Sequence, residues 1–118
     1  MIEVTLPWPS KDLSPNARVH WSKKAKAAKA YREACYWLTY DVNMAGGIDL
    51  PTPGCKLNLW LTFYPPDRRA RDDDNMIASF KSGRDGLAAA LGIDDKRFIS
   101  HIEVSDQIGG MVKVRVTA

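Results

Sequence analysis

Ile2, Val4 and Leu6 alternate with Glu3 and Thr5, a period of two that predicts a half-buried strand over residues 2–6, stopped by Pro7. Residues 7–20 are rich in proline, serine and asparagine and carry no period, which predicts a long loop. Ala25, Ala28, Tyr31, Cys35, Leu38 and Val42 then recur every three or four residues, with Ser22 as an N-cap and Gly46-Gly47 as a stop. A first helix follows from that stripe.

Beyond the breaker Pro51-Thr52-Pro53-Gly54, the residues Cys55, Leu57, Leu59, Leu61 and Phe63 alternate strictly with Lys56, Asn58, Trp60, Thr62 and Tyr64. This is the clearest strand in the chain, and Pro65-Pro66 ends it. A second helix is expected to open at Asp74 or Asn75, to carry Met76, Phe80, Leu87 and Leu91, and to close at Gly92. Gly83 and Gly86 weaken it internally. Residues 98–104 and 111–116 read as two strands joined across 105–110, with Gly109-Gly110 as the turn signal. The order is βαβαββ, which implies an α/β (α+β) single domain over residues 1–118: a mixed sheet packed with two helices.

Composition narrows the class. The 118 residues are 45% hydrophobic and 26% charged, values of a folded globular protein and not of a disordered or membrane one. No run of about 18 apolar residues occurs, and the first residues lack the basic start and apolar core of a secretory signal. A cytoplasmic location, in a bacterial or phage-infected cell, is the expectation. Cys35 and Cys55 lack C-x-x-C spacing and read as core thiols.

Charge is distributed unevenly. Lys11, Arg18, Lys23, Lys24, Lys26, Lys29 and Arg32 face one acid, Asp12, so this segment holds +6 of a chain whose net charge is +3. A basic limb beside an acidic centre suits attraction of a polyanion, although a solvated helix face is the commoner explanation of such a run taken alone.

The acidic centre is Arg68-Arg69-Ala70-Arg71-Asp72-Asp73-Asp74-Asn75, followed by Lys81 and by Asp94-Asp95. Taken singly, the triplet is a helix start that complements the dipole and the later pair is a surface turn. Taken together they suggest a site, because the reversal after the second helix brings Asp95 back toward Asp72 and Asp74. Converging carboxylates repel unless a hard cation such as Mg²⁺ neutralises them, and neighbouring arginines suit phosphate. Metal-assisted phosphodiester hydrolysis on nucleic acid is the chemistry this combination fits.

Leu6-Pro7-Trp8-Pro9, Arg71-Asp72-x-Asp74-Asn75, Lys81-x-x-x-Asp85-Gly86-Leu87 and Asp94-Asp95 together resemble the RusA family of Holliday junction resolvases, over most of the chain. The resemblance implies an Mg²⁺-dependent endodeoxyribonuclease, with Mn²⁺ able to substitute, that acts as a homodimer on four-way junctions in DNA recombination and repair. It carries the metal-binding catalytic carboxylates onto Asp72, Asp74 and Asp95, and the essential lysine onto Lys81. One departure is that Lys81 follows Asp74 by seven residues, a three-residue insertion against the family pattern. On a continuous helix both spacings return to one face, with Lys81 about 4.5 Å farther along the axis. On an extended segment Asp72 and Asp74 point one way and Asp73 the other, which sets Asp73 apart. Asp85 reads as a helix or interface residue and Asp94 as a turn residue.

Arg18, Lys23, Lys24, Arg68, Arg69 and Arg71 are the expected DNA contacts. Beside Arg18, His20 and Trp21 suit contact with unstacked bases, or else Trp21 is a hydrophobic staple for the first helix and His20 a solvated loop residue. His101 reads as structural. Two other functions stay open: a non-catalytic DNA-binding module whose acids cap helices, and a phosphohydrolase acting on small molecules.

Overall fold

A computed structural model describes residues 1–46 and 55–118. Among these residues four strands and three α-helices follow in the order β1 (Ile2–Pro7), α1 (Trp21–Gly46), β2 (Leu57–Tyr64), α2 (Asp73–Ser79), α3 (Lys81–Leu91), β3 (Phe98–Val104) and β4 (Met111–Thr117), with short 3-10 turns at Lys11–Leu13 and Asp95–Arg97. They make one α+β domain around a mixed sheet, the architecture expected from the sequence. The breaker at 51–54 lies outside the described residues.

The strand order is β1-β4-β2-β3. β4 runs antiparallel to both β1 and β2, whereas β3 lies parallel to β2. β3 and β4 are therefore not hairpin partners: residues 105–110 cross the end of β2, where Ser105 N–H donates to Phe63 O and Gly110 N–H to Tyr64 O. Gly110 stands at φ 72°, a conformation in which a side chain would be strained.

Alternation decides the core. Ile2, Val4 and Leu6 of β1, Leu57 to Phe63 at every second position of β2, and Val112, Val114 and Val116 of β4 are buried on one face, against Tyr31, Cys35, Phe80 and Leu87. At the β3 edge this layer runs out. Ser100, Ile102 and Val104, in register with buried Leu59, Leu61 and Phe63, are exposed because the helices pack nearer the β1 side.

α1 departs from its predicted start and face. It opens one residue before Ser22, and its first turn is satisfied by the His20 ring, whose Nδ1 accepts the Ser22 N–H at 3.2 Å. The buried positions are Tyr31, Cys35 and Thr39, while Leu38 is 40% exposed. Steps of three and four fit either 38 or 39. The crossing with α3 selects 39, because Gly86 approaches the α1 backbone at Arg32 and Tyr36 and turns that side of the helix inward. Cys35 is fully buried and burial pushes its thiol up to about 12, a hydrogen bond with Tyr31 opposing the rise; Cys55 is only half-buried.

The second predicted helix is two helices. Asp72, not Asp74 or Asn75, caps α2, and the helix breaks at Phe80, whose ring is buried against Phe63 and Tyr31. Gly83 and Gly86 lie inside α3 without interrupting it. Both let neighbours approach: an added Cβ at Gly86 would stand 2.4 Å from Arg32 O, and one at Gly83 would stand 2.7 Å from the Tyr31 ring. Gly92 terminates α3 at φ 69°, as its position predicts.

Candidate functional site

β2 delivers the chain to its C-terminal end, where Pro65-Pro66 supplies no ladder donor and the backbone leaves the sheet. The loop that follows is folded around Arg71. Its guanidinium lies 2.8 Å from Asp67 Oδ1 and donates to Asp67 O at 3.1 Å and Arg69 O at 3.0 Å. The same group sits 5.8 Å from the centre of the Trp8 ring and is only 14% exposed. Arg71 therefore shapes the site from inside. The Arg69 backbone N–H, at 2.9 Å, and the Arg71 guanidinium together hold the Asp67 carboxyl below its usual range. Arg68 and Arg69 are exposed, and their side chains form no hydrogen bond or ion pair among the described residues.

Asp72 stands where the loop becomes α2. Its Oδ1 accepts the Asp74 N–H at 2.8 Å, and its main-chain carbonyl accepts the Met76 N–H. Asp73 and Asp74 occupy the first turn, where negative charge complements the dipole. These two are helical, so the alternation that set Asp73 apart does not operate. Asp72 also lies on the wall of a cleft of about 420 Å³ between the loop after β1, the loop after β2 and one side of α2.

A second cluster forms between α3 and the turn before β3. Lys81 Nζ lies 2.7 Å from Asp85 Oδ1 and 2.9 Å from Asp95 Oδ2. The two carboxylates hold the Lys81 ammonium above its usual value, Asp85 contributing more, and the bond from Lys81 is the main cause that keeps the Asp95 carboxyl below its own. Arg84, which sequence reasoning missed, reaches the same group: NH1 lies 3.4 Å from Asp95 Oδ2, and NH2 donates to Asp95 O and Phe98 O. The signal that could have found it is an i, i+3 spacing from Lys81, which puts both cations on one side of α3. Asp94 caps the following 3-10 turn by accepting the Lys96 N–H.

The structure thus links Lys81, Asp85, Arg84 and Asp95 by direct contacts, and Asp72 with Asp74 by another. Among the described residues no three His, Cys, Asp or Glu side chains form a group that could hold a metal ion, so the expected convergence of Asp95 on Asp72 and Asp74 is not seen in this arrangement. Asp95 has instead two cationic partners beside it, Lys81 and Arg84. In donor type the set still fits a hard divalent cation. Asp72 and Asp74 offer exposed carboxylate oxygens at one helix start, and the Asp74 side chain has no partner among the described residues.

Of the remaining expected contacts, Arg18 is exposed with no partner among the described residues, Lys23 stands 4.0 Å from Asp12, and Lys24 donates to Ser14 O at 3.2 Å. Trp21 is 75% exposed, its ring 5.5 Å from that of His20, so it does not staple α1 to the core. His101 is structural: its ring stacks on Trp60 at 4.0 Å and its Nε2 pairs with Asn58 Oδ1.

Fold and site define a small α+β protein with free arginines and carboxylates at the C-terminal end of a central strand. No family model matches the chain. Over 119 residues it is 50% identical to an uncharacterized protein of Xylella fastidiosa (strain Temecula1 / ATCC 700964), an alignment that covers 99% of this chain and 76% of that protein. The chain belongs to the same family as that protein. No helix among the described residues is long and apolar enough to cross a membrane.

Proposed function

We propose that this protein is a divalent-metal-dependent endodeoxyribonuclease acting on branched DNA, in the manner of the RusA resolvases that its motifs resemble. The observation that carries the reading is the meeting of Asp72 and Asp74 with Arg68 and Arg69, whose side chains are unpaired among the described residues, within one eight-residue stretch at the end of β2. Asp72 and Asp74 would hold Mg²⁺ or Mn²⁺, and Asp95 would join them only by giving up its contact with Lys81. The cation, when bound, supplies charge neutralisation and an activated water. Arg68 and Arg69 bind backbone phosphates, Arg71 fixes the loop that presents them, and Lys81 offers its positive charge to phosphate once it leaves both Asp85 and Asp95. A homodimer would present two such sites to a two-fold junction.

The second reading is a non-catalytic DNA-binding module. It is favoured by the neutralisation of Asp95 by Lys81 and Arg84, which leaves two carboxylates and not three available. Native protein and Asp74→Asn, each incubated with a synthetic four-way junction with and without Mg²⁺ or Mn²⁺, separate the two. Metal-dependent cutting by the native protein alone supports the nuclease; binding by both with no cutting under any metal condition removes it. Equal cutting of linear duplex removes only the branch preference.

A further inference from the structure

We propose that the cleft beside Asp72 is a pocket for one unpaired nucleotide, its base against Trp8 and its phosphate between Lys11 and Arg69. The inference rests on the nucleic-acid reading above and deepens it: Asp72 and Arg69 are shared with that reading, whereas Trp8, Lys11 and Asn75 have no role in it. At about 420 Å³ the cleft falls within the roughly 300–1,000 Å³ typical of sites that enclose a small ligand.

Its walls divide by chemistry. Trp8 is half-buried and held rigidly, edge-on to Phe63 with ring centres 6.0 Å apart and with the Arg71 guanidinium beside it. Met76, buried, lines the same cleft. Together they give an apolar, aromatic surface of the kind on which a base stacks without regard to sequence. In the same cleft, the Asn75 side-chain amide has no partner among the described residues, since only its main-chain carbonyl is used, by the Ser79 hydroxyl. A free amide offers a donor and an acceptor to a base edge.

Charge points to a phosphate. Asp67 and Arg71 neutralise one another across 2.8 Å. That leaves Lys11 and Arg69, both exposed and neither ion-paired among the described residues, against the single carboxylate of Asp72. An aromatic wall, an amide and two spare cations within one cleft match a nucleotide better than a sugar, which needs no phosphate contact, or a peptide, which needs no two adjacent cations. A base held in a duplex cannot enter, so the ligand is a nucleotide unpaired at a branch or on a single strand.

The test is made on the whole chain without metal, so that binding is read apart from cutting. Uniformly ¹⁵N-labelled protein is titrated with a single-stranded thymidine tetranucleotide and with the same strand made abasic at all four positions. The indole signals of the four tryptophans, Trp8, Trp21, Trp37 and Trp60, are followed. The expected result is a saturating shift of the Trp8 signal, with the abasic strand binding about tenfold or more weaker. Arg69→Ala and Asn75→Ala, both at exposed or half-buried positions that leave the core intact, are expected to weaken binding without changing the melting temperature. Equal binding of the two strands overturns the base pocket, as does saturation that moves Trp21 or Trp37 and leaves Trp8 still. A Trp8 response in a protein that cuts no junction supports the pocket while the nuclease reading fails; cutting without any Trp8 response has the opposite meaning.

Discussion

Replacing Gly86 with alanine adds one methyl group at the point where α3 crosses α1. Built on the native backbone, that carbon stands 2.4 Å from Arg32 O, 3.1 Å from Tyr36 N and 3.2 Å from Cys35 Cβ. A carbon and a carbonyl oxygen settle no closer than about 3.3 Å, so the helices must part by roughly 1 Å. The obstructing atom is backbone, and it cannot rotate away as a side chain would. Parting of that size forfeits about a quarter to a half of the dispersion energy of the atoms that line the crossing. The measured range for such overpacking is about 1–3 kcal/mol, and a backbone clash belongs at its upper end. Alanine returns about 1 kcal/mol through helix propensity. The net loss is therefore about 2 kcal/mol, or roughly 8 °C in melting temperature for a chain of this size. Thermal unfolding followed by far-ultraviolet circular dichroism measures it. Gly83→Ala, which meets the rings of Tyr31 and Phe80 and no backbone, is expected to lose less; Gly46→Ala, with nothing within 4 Å, is expected to lose nothing. A Gly86→Ala protein melting at or above the native temperature would refute the close crossing, and with it the reason that Thr39 and not Leu38 faces inward.

Two further outcomes are expected. Tyr31 is buried and its hydroxyl donates to Pro7 O at 2.6 Å, tying α1 to the end of β1 just before Trp8; Tyr31→Phe leaves that carbonyl unpaired and should cost about 1–2 kcal/mol in urea unfolding, while a loss below the error of the fit would mean that water replaces the bond. Asp95 has a carboxyl held below its usual value by Lys81, so its contribution to stability is full above about pH 4 and disappears as pH falls through the lowered value. Melting temperatures of native protein and Asp95→Asn, measured from pH 7 to pH 2, should therefore converge at the acid end; a gap that stays constant across that range would sink the assignment of Lys81 and Arg84 as its partners.

Much of the candidate site was legible before the fold was known, because carboxylates, arginines and helix starts announce themselves by residue type and spacing. Asp72 and Asp74 do begin a helix, and Asp95 does begin the turn before β3. What spacing could not convey is how the charges are allocated. Arg71 looks like its neighbours in the sequence, yet it alone turns inward and uses its donors on the loop's own carbonyls. Arg84 looks like a solvated helix residue and instead closes on Asp95 and Phe98.

The strands, the termination at Gly92 and the α+β class were written in the period of apolar residues, since a period of two or of 3.6 states which side of an element must leave water. Strand order was not, because β4 can insert between β1 and β2 only once both exist, and no local pattern encodes a partner so distant in the chain. The rotation of α1, the break at Phe80 and the pairing of Asp95 with Lys81 and Arg84 likewise await contact between elements. Local sequence sets which surfaces are apolar and which groups are charged; only packing decides which of them meet.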